Sequence, residues 1–139
     1  MSEDLTRVER WDARLKAVFD EIDRELETEA ALKKSPYRLH PVRLPAGATS
    51  NPEDDGLFDI GASFTAGIGS EYGPGYALTF RMATLEHVPA ADIERLQNRV
   101  VAMLRERLPK AFPGTDLRVV EDVNGWKIVG DLSLGALSP

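Results

Sequence analysis

The residues best suited to chemistry lie in the first half of the chain. The segment Tyr37-Arg38-Leu39-His40-Pro41-Val42-Arg43 is a basic island in a sequence of 139 residues with net charge −6. Two guanidinium groups and an imidazole at near-alternate positions could orient an anion, because arginine offers paired N–H donors to a carboxylate or phosphate. Arg38, His40 and Arg43, joined by Arg81 from a later strand, make the candidate ligand-binding set. The plainer reading is an edge strand over 37–44 whose charges block edge-to-edge pairing. Further on, Asn51, Glu53, Asp55 and Gly56 follow the spacing of the first half of an EF-hand loop. Position twelve, which needs a bidentate carboxylate, is Ala62, so an acidic turn before a strand is expected rather than a calcium site.

Gly67, Gly69, Gly73 and Gly75 suggest a phosphate loop, but neither the dinucleotide spacing nor a Gly-Lys-Ser/Thr ending is present. The segment leads into a strand, so no helix N-terminus is available to receive an anion. It reads as a hairpin tip whose exposed handles, Glu71 and Tyr72, suit contact with a protein. The two histidines, His40 and His87, lack a spaced carboxylate, and Ser63, Ser70 and Ser133 lack a nucleophile-elbow context. Asp54/Asp55 and Glu121/Asp122 are sequence neighbours; on a strand, neighbours point to opposite faces, so Glu121 and Asp122 cannot act together. No catalytic residue, metal ligand or cofactor is assigned, and an enzyme is disfavoured.

Composition narrows the classes further. Hydrophobic content of 42% and charged content of 29% are those of a single globular domain over 1–139. The acidic balance disfavours nucleic acid, which needs a concentrated basic face. There are no cysteines, and no apolar run marks a signal peptide or a membrane span, so cytoplasmic residence is expected.

The elements that must position these residues follow from periodicity. Leu5, Val8, Trp11, Leu15, Val18, Phe19, Ile22 and Leu26 recur in steps of three and four, which predicts an amphipathic helix over about residues 4–32 within an N-terminal segment 1–34. A Pro-rich connector occupies 35–56, and a ββαββ core 57–134. Phe58, Ile60, Phe64 and Ile68, then Tyr76, Leu78, Phe80 and Met82, alternate with small or polar residues as two antiparallel strands. Ile93, Leu96, Val100, Met103, Leu104 and Leu108 mark a second helix that Pro109 should stop. Asn124-Gly125 is the strongest short hairpin signal, and a two-residue loop there places Asp122 opposite Lys127, Val120 opposite Val129 and Arg118 opposite Asp131.

The fold class is therefore α+β: an antiparallel sheet of four to five strands with the second helix on its large-residue face, preceded by a long amphipathic helix. The other face (Gly61, Ser63, Thr65 and Gly67, Ala77, Thr79 and Ala83, Val120 and Val129) is smooth, and cover by the first helix or a second subunit is expected. This order of elements, with the small size and acidity, is similar to that of the dimeric chaperones of type III secretion effectors, an analogy of architecture that assigns no residue a role. The leading functional expectation is a non-enzymatic protein-interaction module, a homodimer that is chaperone-like or an accessory subunit. Its expected interface is Trp11, Leu15, Val18, Phe19, Ile22, Glu71 and Tyr72. The alternative is a small anionic-ligand-binding protein or enzyme with its pocket near the basic connector.

Overall fold

The computed structural model describes residues 3–33, 35–123 and 125–131, with the side chains of residues 3–8, Leu5 and Val8 included, lying outside what is described. Its elements run α1 (Glu3–Leu32), β1 (Phe58–Thr65), β2 (Gly75–Met82), α2 (Ala90–Ala111), β3 (Leu117–Asp122) and β4 (Gly125–Gly130), with a 3-10 turn at Pro52–Asp54. The fold is α+β. Four strands form one antiparallel sheet in the order β1-β2-β4-β3, so the two hairpins meet through β2 and β4. Residues 132–134, the expected end of the last strand, are outside the described residues.

The chain packs as two compact units, each drawing on both helices and on the sheet. One takes α1 as far as Val18, Ala62–Leu78 and the chain from Met103 on; the other takes Phe19–Gly61 and Thr79–Ala102. In the first unit Trp11 stacks on Tyr76 with ring centroids 5.0 Å apart and lies 4.9 Å from Phe112. Around them Leu15, Val18, Met103, Leu104, Leu108, Val119 and Ile128 are buried. In the second unit the buried hydrophobic set is Phe19, Ile22, Leu26, Leu57, Phe58, Ile60, Leu96, Val100 and Val101. There Arg99 of α2 pairs with Glu29 of α1 at 2.5 Å and holds that carboxyl below its usual range, chiefly by hydrogen bonding.

The α1 stripe is thus covered within the chain by the bulky face, not by the smooth one. Ser63, Ala77 and Thr79 stay exposed, while Val129 is buried. The reason is area: Tyr76, Leu57 and Phe58 offer far more apolar surface than alanine or threonine, at about 25 cal/mol per Å² buried.

Three local expectations are corrected. The 37–44 segment forms no strand; its one ladder contact is an isolated bridge between Leu44 and Asp55. Pro36, Pro41 and Pro45 lack donors, and side chains satisfy the backbone instead: Arg38 N–H donates to the Glu86 carboxylate at 2.6 Å, and Val42 N–H to His40 Nδ1 at 3.2 Å. Pro109 sits inside α2, which runs on to Ala111; Phe112 N–H still donates to the Leu108 carbonyl, and both side chains are buried. That burial outweighs the one backbone bond proline removes.

The last hairpin keeps its faces but shifts its register. Asp122 pairs with Gly125, Val120 with Lys127 and Arg118 with Val129, so the last pair before the turn is Asp122 with Gly125 rather than Val123 with Trp126. Asn124 itself lies outside the described residues. The shift makes Asp122 and Lys127 diagonal neighbours, still 3.1 Å apart, and lets both reach Ser70. A tertiary ionic knot therefore overrides the local turn preference.

Candidate functional site

Two places in the described residues combine polar groups with exposed apolar surface. The first is a hollow of about 600 Å³ in the second unit, bordered by the connector, the start of β1 and the end of β2. His40, Arg43 and Arg81 line it, so three of the four expected ligand-binding residues are brought together, and Arg38 is left outside. Exposed Val42 and Leu44, with Met82, give it apolar walls.

The cations of the hollow are already engaged. Arg43 Nε donates to the Gly56 carbonyl at 3.0 Å, and Nη2 donates to the carbonyls of Asp55 at 3.0 Å, Phe58 at 3.2 Å and Glu53. Arg81 pairs with Asp59 at 2.6 Å while remaining largely exposed. His40 is fixed through its backbone N–H, which donates to the Ala83 carbonyl at 2.7 Å, and through Nδ1, which accepts the Val42 N–H. An anion entering here must compete with Asp59 for Arg81, and it has Asp54 as a neighbour. The acidic turn has structural work: Asp55 accepts the N–H and hydroxyl of Thr49 at 2.9 and 2.8 Å, and Asn51 caps the 3-10 turn. Burial pushes the Asp55 carboxyl up, but the Thr49 and Gly47 hydrogen bonds and Arg43 together hold it below its usual range.

The second place is the end of the sheet in the first unit, where the 66–74 loop meets the β3–β4 turn. Lys127 is only 4% exposed. Its ammonium donates to Ser70 Oγ at 3.1 Å, to Asp122 at 3.1 Å and to the Gly73 carbonyl, and Ser70 also donates to Asp122. The Ser70 hydrogen bond, more than any other contact, holds the Asp122 carboxyl below its usual range. Gly67 is required here: its φ is +74°, and a Cβ would strike the Gly73 carbonyl. On this braced frame sit Ile68 at 97% exposure, Val123 at 79%, and the exposed Glu71 and Tyr72.

Of the expected interface residues, Leu15, Val18, Phe19 and Ile22 are buried in the core and Trp11 is half-buried; Glu71 and Tyr72 are the accessible ones. The smooth-face and stripe readings missed three groups. Lys127, expected opposite Asp122, proves buried. Glu27 accepts the N–H groups of Leu57 and Phe58, and Asp23 is buried without a hydrogen-bond partner. Asp23 follows Phe19 by four residues and precedes Leu26 by three, so its place in the apolar stripe was the available signal. His87 is exposed, and among the described residues no group of three or more His, Cys, Asp or Glu is placed to hold a metal. No helix of the described residues is long and apolar enough to cross a membrane.

No solved structure matches this chain. An uncharacterized protein of Borreliella burgdorferi is 34% identical over 110 residues, which cover 79% of this chain and 84% of that protein. Residues 6–130 match the model of a family described as "Uncharacterised protein", and the chain belongs to that family.

Proposed function

We propose that this chain is a non-enzymatic protein-interaction module that self-associates as a weak homodimer through the end of the sheet. The observation that carries the reading is the Lys127–Asp122–Ser70 knot, which fixes two turns and presents Ile68 and Val123 to solvent on that frame. Rigid apolar anchors lose little conformational entropy on binding. Charge favours a second copy at this end: a chain of net charge −6 repels its own copies, and here the central carboxylate, Asp122, is neutralised by Lys127. The patch is small, so a transient contact is expected rather than an obligate one. Cytoplasmic residence goes with the proposal and is checked by fractionation of the native host.

Sedimentation equilibrium of the full chain tests it. Dimer should appear at roughly tens of micromolar protein, the affinity class of small interfaces. Ile68→Asp with Val123→Asp should return the chain to monomer without changing its circular dichroism. A monomer throughout the range, or a dimer that persists in the double variant, defeats the proposal.

A second reading rests on the hollow, whose volume of about 600 Å³ lies within the usual range for small-molecule sites. In it Arg81 would exchange Asp59 for the carboxylate or phosphate of a small anion, with the body of the ligand on Val42 and Leu44. A thermal-shift series with small carboxylates and phosphates, repeated on Arg81→Gln, tests this. Absence of any shift, or an equal shift in the variant, removes it.

A further inference from the structure

Residues 53–58 are held by their backbone from two directions. Arg43 caps the carbonyls of Glu53, Asp55, Gly56 and Phe58, and the Glu27 carboxylate takes the N–H groups of Leu57 and Phe58 at 2.5 and 2.9 Å. Gly56 completes the fit. Its φ is +72°, and a Cβ there would fall 2.6 Å from the Glu27 carboxyl carbon, so only glycine suits the position. Asp54 within this run, Asp59 just after it and Arg43 itself all line the hollow, so the clamp sets the shape of the hollow.

One turn before Glu27 on α1, Asp23 is 1% exposed, and neither carboxyl oxygen has a hydrogen-bond partner. The charged groups that face it are Asp20 and Glu27 from α1, Asp55 from the clamped run and Arg43 from the connector. One guanidinium among three other carboxyls gives poor support to a further negative charge in a site closed to water. A buried polar group without a partner costs about 1–3 kcal/mol, so stability alone does not account for aspartate at this position.

We propose that Asp23 is a proton-held latch on this clamp. Protonated, it leaves Arg43 on the backbone carbonyls. When it releases its proton to solvent, the new carboxylate draws the Arg43 guanidinium off those carbonyls, freeing 53–58 and reshaping the hollow. Guanidinium suits the moving part, because its N–H donors fit a carboxylate in pairs. Burial first, then the charges of Glu27 and Asp55, push the Asp23 carboxyl up to about 8, which puts release in the mildly alkaline range. Burial pushes Glu27 up as well, but its two backbone N–H bonds favour the carboxylate, so that arm tightens as pH rises and the release comes from Arg43 alone. The proposal is independent of both functional readings above.

Amide hydrogen exchange on the full chain, corrected for base-catalysed intrinsic rates, tests it in the wild type and in Asp23→Asn. Protection of the Gly56 amide, which donates to the Leu44 carbonyl, should fall roughly tenfold or more between about pH 6.5 and about pH 9 in the wild type and stay nearly constant in Asp23→Asn. The Ile128 amide serves as the control and should keep its protection in both. Carboxyl ¹³C titration reads the trigger directly. A flat Gly56 profile in the wild type, an equal fall in Asp23→Asn, or an Asp23 carboxyl that titrates in the ordinary carboxylate range would each overturn the latch.

Discussion

A carboxyl buried without a hydrogen-bond partner gives this chain an unusual response to pH. Because the Asp23 pKa is raised from 3.8 to about 8, the folded chain holds a proton that the unfolded chain has released between those values. The contribution of Asp23 to stability is fully present below the unfolded value and is lost as pH rises through about 8. Asp23→Asn removes that dependence. It is expected to raise the urea midpoint at neutral pH, with a gain that grows by at most about 1.4 kcal/mol per pH unit and then levels off. Denaturation of both proteins at a series of pH values checks the slope; a gain that shrinks as pH rises contradicts it. Glu29, Asp55 and Asp122 work in the opposite sense. Their carboxyls are held low in the folded chain, so their contribution is present above the unfolded value and lost as pH falls. Stability should therefore decline on both the acid and the alkaline side. The place of Asp23 in an apolar stripe was legible from helical spacing. That it has no partner was not, because the nearby cation, Arg43, lies twenty positions on and spends its donors on carbonyls.

At the scale of elements, the connector is where side chains replace secondary structure. Proline removed the donors that would have made an edge strand, and Arg43 took over the ordering by capping four carbonyls. Arg43→Gln cannot reproduce those charge-assisted bonds, so a stability loss of about 1.5–3 kcal/mol is expected, with exchange rising at Leu57 and Phe58 before anywhere in β3 or β4. A uniform rise across both units would contradict a local clamp. Both helices and all four strands were readable from periods of 3.6 and 2, because one face of each element is buried and the other is not. The hairpin register was not. Asn124-Gly125 states a turn preference, but Ser70 and the Gly73 carbonyl sit some fifty residues away and engage Asp122 and Lys127 as diagonal neighbours. Removing those contacts should weaken the register: Ser70→Ala with Lys127→Met is expected to broaden or split the cross-strand Val119–Ile128 proton contact, whereas an unchanged contact assigns the register to the turn alone.

For the whole molecule, the covered α1 stripe moves the case for self-association to the sheet end. Leu15, Val18, Phe19 and Ile22 serve the core, and the accessible part of the expected interface is Glu71 with Tyr72, beside Ile68 and Val123. The glycine-rich loop was legible as an exposed hairpin tip. Its rigidity was not, since the brace depends on a lysine whose burial follows only from the strand order. A dilution series of ¹H–¹⁵N spectra of the full chain locates the contact most directly. Amide signals of Ile68, Tyr72 and Val123 should shift together as protein concentration rises, while those of Ile22 and His40 stay fixed. Shifts confined to α1 or the connector, or none at any concentration, would contradict a dimer formed through the end of the sheet.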